Sequence, residues 1–533
     1  MKSNYLFTVI ILCCFIITGI PFISAQEATI WPDLDYGSYA IGFKTVEQRD
    51  YTRTFGPKYD YFGKLLPGNT IRPIQMCIWY PAQKNDLPPM VYGEYVFPYP
   101  GDDSFFDYLT QIQNRETGLL GTMFQGNSAL LVSVMNVGMR ARKNAPVAEG
   151  SFPVIIYHPD VQHSITENAL LCEYLASHGF VTVSSHSMGA YSLQEQVNAE
   201  DVLAAVRDRE FLLSLLRDQK MADLDRLGVM GFGVGGLSSL LFQMRNVEID
   251  AVAGLNSLFL FSQHQDFTAQ IPSFNPKRLS VPCMQLFLAQ NNTTDVRLVE
   301  EMKYAPRFVY QLQKGSETDL VGSGFLAGLA EDVADAKQRQ SESYQIMCRY
   351  VVQFFNAYLN SDKTSEKFLQ NSPEANGFSP DALSVRCLKA EERPPTRAQF
   401  IDMIRTKDID TVLEISEKFN LDDPESPLLT ENEFNALGYF LIQRNKPVAA
   451  KAIFKMGVEV FPNSANAWDS FGEACMANGD YEQSLQYYKK ALELLPADTT
   501  TPDQLKQLIE QNAPDIIKRL EGLIAGEEKQ QNP

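Results

Sequence analysis

From about residue 152 the chain alternates short apolar runs with longer amphipathic stretches. Val154 to Tyr157 and Phe180 to Ser184 are apolar runs too short for helices, and Glu167 to His178 between them carries apolar residues at helical spacing. The pattern continues with a helix over Ala199 to Leu216, a strand over Leu227 to Met230, a helix over Leu237 to Met244 and a strand over Ile249 to Gly254. Cys283 to Leu288 and Phe308 to Leu312 read as further strands, and Tyr344 to Leu359 as a closing helix. Upstream, Tyr39 to Phe43 and Ile74 to Trp79 alternate apolar and polar positions as strands do, while residues 82–150 form a loop-rich stretch with one or two helices, read as an insertion over the sheet. Buried strands alternating with helices predict an α/β domain over residues 35–362, a doubly wound, mostly parallel sheet of about eight strands.

Residues 363–395, rich in Ser, Asn, Pro and Glu, read as a linker, and the remainder, 396–533, is helical throughout. A 34-residue period runs through it. Units 431–464 and 465–498 align Phe434 with Trp468, Leu437 with Phe471, Gly438 with Gly472, Ala450 with Ser484, Phe454 with Tyr488, Gly457 with Ala491 and Pro462 with Pro496. Seven positions in register without a gap resemble the tetratricopeptide repeat, in which glycine lets paired helices approach and proline ends the unit. Such stacks need about three units; Arg397 to Ile404 with Ile409 to Phe419 supply a degenerate one, and Pro502 to Leu523 a polar cap. The resemblance implies a groove for a protein partner.

The chain has 533 residues, 45% of them hydrophobic and 21% charged, which is globular composition long enough for more than one domain. Residues 1–25 carry Lys2, an apolar run and a small exit at Ser24-Ala25, the pattern of a cleaved signal peptide. The expectation is an exported protein, periplasmic, cell-surface or secreted, with no membrane span once the signal is removed. An uncleaved anchor is the alternative, since Tyr5 to Ile23 nearly suffices to cross a bilayer. Cleavage takes away one lysine and no acid, so the net charge moves from −19 to −20. Such a surface repels phosphate backbones, and nucleic acid is not an expected partner. Cys13 and Cys14 leave with the signal; Cys77, Cys172, Cys283, Cys348, Cys387 and Cys475 are scattered singly and read as free thiols. No histidine pair has metal-ligand spacing, so neither a metal nor a cofactor is expected.

The segments "RPIQMCIWYPA", "FPVIIYHPD", "CEYLASHGFVTV" and "LGVMGFGVGG" resemble the platelet-activating-factor acetylhydrolase and dienelactone hydrolase branch of the α/β-hydrolases, over residues 36 to about 360. The resemblance implies a serine esterase fold with an ester or lipid-like ligand in its pocket. A nucleophile elbow G-x-S-x-G lifts a serine oxygen above the sheet, and a later histidine takes its proton. Here Gly233 stands at the serine position, and no histidine follows His264. The implied acid position falls at Asn291 and Asn292, with Asp295 beyond, and the implied histidine position before Phe325 is Gly322. The oxyanion loop reads His158-Pro159-Asp160, where proline lacks an N–H and a carboxylate opposes developing negative charge. Without triad members, only the roughly 10³- to 10⁴-fold rate gain of the oxyanion hole and binding remains. The expectation is therefore a degenerate hydrolase domain serving as a non-catalytic ligand-binding and interaction scaffold.

Two alternatives stand beside it. Ser185-His186-Ser187-Met188-Gly189 looks like an elbow without its first glycine, and Ser187 activated by His186 or His264 would make a relocated acetyl or short-acyl ester hydrolase. It follows the strand Phe180 to Ser184, one strand and one helix too early for the nucleophile, so a loop at the sheet edge is the plainer reading. Gly231, Gly233 and Gly236 also satisfy the dinucleotide pattern G-x-G-x-x-G, but the acid near the right count, Asp250, lies at the beginning of the next strand.

Overall fold

The computed structural model describes residues 31–531 apart from 57–58, 60–61, 66–70, 99, 290–292 and 328–333. The segment 1–25, expected as a signal peptide, and Asn291 and Asn292 thus lie outside the described residues. The chain divides into two compact units, 1–391 and 392–533.

The first unit is built on a ten-stranded sheet. In chain order its strands are β1 (Ala40–Thr54), β2 (Ile71–Ala82), β3 (Arg142–Lys143), β4 (Phe152–His158), β5 (Val181–Ser184), β6 (Ala222–Phe232), β7 (Ala251–Leu255), β8 (Cys283–Leu288), β9 (Arg307–Leu312) and β10 (Leu383–Leu388). They lie side by side as β10-β9-β8-β7-β6-β4-β5-β2-β1-β3. Strands β4 to β9 are parallel, β2 runs antiparallel to both β1 and β5, and β10 is antiparallel to β9. With the two-residue β3 and the antiparallel edge strand β10 set aside, the order is 1-2-4-3-5-6-7-8 with an antiparallel second strand, and the unit has an α/β-hydrolase fold.

The helices used below are α1 (Phe106–Met123), α2 (Ala169–Ser177), α3 (Ala199–Leu216), α4 (Val234–Arg245), α5 (Ser262–Gln270), α6 (Ala334–Leu359) and α7 (Lys363–Gln370). They cover both faces, so each strand buries alternate residues in opposite cores. On β4, Ile155 and Tyr157 join α2 and α6 in one core, while Val154 and Ile156 join α3 and α4 in the other. Each fully buried aliphatic side chain contributes about 1.5–3 kcal/mol of transfer free energy. At the end of β4 this alternation sends Tyr157 to one face and His158 to the other.

An internal ion-pair cluster anchors α3 to the antiparallel edge of the sheet. The Arg72 guanidinium on β2 grips Asp208 through Nε and Nη2 at 2.6 and 2.7 Å and donates to the Gly189 carbonyl at 2.8 Å. Arg53 reaches Asp208 at 2.8 Å and Asp50 at 2.6 Å. Desolvation opposes charge on Asp208, but Arg72 and Arg53 outweigh it and hold the carboxyl below its ordinary range.

Most of the stretch 363–395, expected as a linker, instead belongs to the sheet domain, which runs to residue 391. It carries α7 and β10, and β10 pairs with β9 along its whole length from Leu383 opposite Leu312 to Leu388 opposite Arg307. Only Leu383 of β10 is fully buried, so the strand has the polar composition of an edge and escapes an apolar-run reading.

The second unit is all helical. Its helices are α8 (Arg397–Thr406), α9 (Ile409–Phe419), α10 (Glu431–Gln443), α11 (Pro447–Val460), α12 (Ala465–Asn478), α13 (Tyr481–Leu494) and α14 (Asp503–Gln531). The period appears as contacts between paired helices. A Cβ on Gly438 would lie 2.3 Å from the Phe454 ring, and one on Gly472 would lie 3.0 Å from Tyr488, so glycine is what lets each pair close. Ser484 donates to the Gly472 carbonyl at 2.7 Å, and Trp468 donates from its indole to the Pro462 carbonyl at 2.8 Å. Pro496 follows the end of α13. Among the described residues no helix is long and apolar enough to cross a membrane.

Candidate functional site

Strand β6 ends at Phe232 and α4 begins at Val234, so Gly233 alone makes the turn, at φ 54° and ψ −118°. Such a backbone is strained for any residue with a side chain, and the surroundings fix it. The Gly233 N–H donates to Leu255 O at 3.0 Å, and its carbonyl accepts from the Leu258 N–H at 2.9 Å. The strand and helix pass so closely that a Cβ on Gly231 would lie 2.2 Å from the Gly235 carbonyl carbon. This is a sharp strand-to-helix turn with no side chain at its tip, at the place where sequence analysis expected the nucleophile elbow.

The space above Gly233 is filled by Asp160. A Cβ built on Gly233 would lie 2.3 Å from Asp160 Oδ1 and 2.5 Å from Oδ2. Asp160 Oδ1 also accepts the Val234 N–H at 2.8 Å. In the elbow architecture, the N–H of the residue after the nucleophile is an oxyanion donor. A carboxylate of the chain itself therefore takes the donor that an ester's developing oxyanion would need. Sequence reasoning placed Asp160 in the oxyanion loop; the structure puts its oxygen on the donor itself.

From Asp160 a hydrogen-bonded chain runs to Gly322. The Asp160 N–H faces both Glu167 oxygens at 3.2 Å, and Tyr157 donates to Glu167 in a short bond. Asn168 donates to the Tyr157 hydroxyl at 3.1 Å, and its Oδ1 accepts from the Gly322 N–H at 2.9 Å and from Tyr344 at 3.0 Å. Burial, then the charge of Asp160, drives the Glu167 carboxyl well above its ordinary range. Burial also raises Asp160, against the opposing pull of the Val234 N–H. His163 Nδ1 stands 3.7 Å from Glu167 Oε1, with its side chain 43% exposed. A Cβ on Gly322 would crowd Leu170 Cβ at 3.2 Å and the Tyr344 hydroxyl at 3.3 Å. Asp295 is held at the rim by Arg297 at 2.6 Å.

The relocated site is not assembled. Ser187 donates its hydroxyl proton to the His163 carbonyl at 2.7 Å, not to an imidazole. The His186 Nε2 bonds Gln75 Oε1 at 3.0 Å, and burial pushes its pKa down to about 3, so the ring stays neutral. His264 lies on α5, where its carbonyl accepts from Thr268 at 2.8 Å. Neither ring is hydrogen-bonded to Ser187 among the described residues. The dinucleotide reading fails as well. Asp250 Oδ2 accepts the Leu227 N–H at 2.8 Å before β7 begins, at the end of the sheet away from the elbow.

Several residues of the site were not singled out by sequence. Arg115 on α1 donates to Ser187 O at 2.8 Å and His163 O at 3.0 Å, so the insertion 82–150 clamps the two loops beside the elbow. Glu195 and Arg209 are buried on the other side of β4, near His158. The signal for Arg209 was present: α3 buries Val202, Ala205, Val206, Leu212, Leu213 and Leu216 along one face, and the charged Asp208 and Arg209 share it, with Asp201 buried in the first turn. Two clefts of about 330 and 380 Å³, lined by residues such as Glu210 and Arg245 or Lys44 and Gln219, open at the opposite, amino edge of the sheet.

Residues 465–498 match the family described as tetratricopeptide repeat. No curated protein matches the chain. Among solved structures the chain is similar to a ferulic acid esterase from Streptomyces cinnamoneus, with 15% identity, a TM-score of 0.47, and coverage of 68% of this chain and 99% of that one. The fold assignment rests on the strand order and the elbow.

Burial pushes the Glu195 carboxyl from an ordinary 4.5 up to about 8, with Arg209 pulling the other way. Between those values the folded protein keeps a proton that the unfolded chain has released, so stability falls as pH rises through this window and is fully present below it. Glu195→Gln should flatten that dependence in urea midpoints measured from pH 5 to 8.5. Parallel curves for the two proteins would show that Glu195 does not titrate there.

Proposed function

We propose that this chain is an exported scaffold in which an α/β-hydrolase domain of the platelet-activating-factor acetylhydrolase and dienelactone hydrolase type binds an ester or lipid-like molecule without turnover, while the tetratricopeptide repeats hold a protein partner. The observation that carries the first part is the Asp160 carboxylate on the Val234 N–H, above a residue with no side chain. Hydrolysis of an ester needs a nucleophile and donors aimed at the developing oxyanion. At this elbow the nucleophile is absent and one donor is engaged by a negative group. Export is supported by the leader pattern of residues 1–25 and the acidic surface.

The partner-binding half is supported by the matched repeat at 465–498 and by the 34-residue register that extends to 431–464. Helical repeats stack into an extended surface suited to a peptide or a helix of another protein.

Nitrophenyl acetate and butyrate, assayed with a fluorophosphonate probe on the mature chain, should give no turnover above buffer and no labelled serine. Labelling at Ser187 would overturn the reading in favour of a relocated esterase. Deletion of residues 392–533 should abolish recovery of a co-purifying partner; unchanged recovery would move the interaction to the hydrolase domain.

A further inference from the structure

The insertion contains a helical hairpin that the elbow does not use. Helix α1 ends at Met123, Phe124 to Asn127 turn the chain, and a second helix runs over Ser128–Met135. Leu120, Phe124 and Val134 are buried in the core of the sheet domain, and Leu130, Leu131 and Met135 pack partly against it. The other face is open to solvent: Gly118, Leu119, Thr122, Ala129, Val132 and Ser133 are exposed, Val132 by 57%.

This face carries no charge. Residues 117–139 hold no Asp, Glu, Lys, Arg or His, the longest such stretch after the leader, in a chain that is 21% charged. The next longest, 227–244, is buried throughout, as the end of β6 and α4 require. The polar side chains of the hairpin are turned back on their own helices. Thr117 donates to Gln113 O at 2.8 Å, Thr122 to Gly118 O at 3.0 Å, Ser133 to Ala129 O at 3.0 Å and Asn136 to Val132 O at 2.8 Å. Donors satisfied in this way do not need water, which is what a helix face requires in order to enter lipid.

The chain also arrives at this place from its amino-terminal side. Trp31 donates from its indole to Gly138 O at 2.9 Å, just past the hairpin, and its ring packs on Tyr92. Residues 24–30 separate it from the apolar run Tyr5 to Ile23, and seven extended residues span about 25 Å at most. With that run in a bilayer during export, Trp31 is held within that distance of the lipid surface. This step rests on the leader reading, whereas the assay below omits residues 1–25.

We propose that the hairpin 117–136 seats on the surface of a neutral lipid bilayer, with Leu119, Ala129 and Val132 entering the boundary between headgroups and acyl chains. The acidic chain repels anionic lipid, so the contact is apolar in origin and persists in salt. Arg115, at the start of the hairpin, bonds the loops at 163 and 187, so docking brings the carboxyl edge of the sheet toward the membrane.

The mature chain, residues 26–533, mixed with phosphatidylcholine vesicles and separated by flotation tests this. The wild type should float with the vesicles at low and at high salt. Val132→Asp should lower the partition coefficient about ten-fold or more, the loss of burial of one aliphatic side chain. Val132 is already exposed, so the variant keeps its fold, and Val247→Asp, at a valine 97% exposed elsewhere, should partition like the wild type. Absence of flotation in the wild type, equal partitioning of the two variants, or binding only to anionic vesicles and lost in salt would each overturn the proposal. Self-association abolished by Val132→Asp, without vesicle binding, would assign the face to a second copy of the chain and overturn it as well.

Discussion

The contact between Asp160 Oδ1 and the Val234 N–H is the constraint on which the site depends. The N-terminus of α4 presents unsatisfied N–H groups to the carboxyl edge of the sheet, and such a terminus favours negative charge. In an esterase that preference is reserved for a charge that develops during reaction. Here a permanent carboxyl occupies it, and the bare Gly233 leaves room for that carboxyl to lie across the turn. The absence of a side chain at Gly233 and the position of the Asp160 carboxyl are thus two halves of one steric arrangement. A residue larger than glycine at 233 and the present Asp160 rotamer exclude each other.

The alternation of β4 divides the consequences between the two faces of the sheet. Tyr157 points to the α2 face and joins Glu167, Asn168, Tyr344 and Gly322 in a buried network. His158 points to the α3 face, beside Arg209. Asp160, two residues past His158, reaches back over the edge between them. The insertion helix α1 closes the arrangement through Arg115, whose three carbonyl contacts span the loops at 163, 187 and 193. The carboxyl edge of the sheet beside the elbow is thus a consolidated polar interior.

Much of this was legible in the sequence where local physics decides. Ala199 to Leu216 and Cys283 to Leu288 were read to the residue, because amphipathic spacing marks the helix and a run apolar but for Gln285 marks the strand. The tetratricopeptide register was legible because Gly438 and Gly472 recur where paired helices touch. The strand β10 was missed because an edge strand needs few apolar residues, and a polar stretch of 33 residues reads as a connection. The bare elbow at Gly233 was visible in the motif. The identity of its occupant was not, since Asp160 meets Val234 across 74 positions of chain and no periodicity encodes such a contact. Glu167 and Glu195 were missed for the same reason, their burial being set by tertiary packing, whereas Arg209 lay on the apolar face of α3 and was passed over.

The central claim is that the Asp160 carboxylate occupies the place of the missing nucleophile, and a double-mutant cycle between positions 160 and 233 tests it most directly. Gly233→Ala should destabilise the wild-type chain and cost much less in an Asp160→Gly background. The expected coupling lies in the range of about 0.5–3 kcal/mol found for residues in contact. Additive effects at the two positions, with no coupling in urea unfolding, would contradict the account.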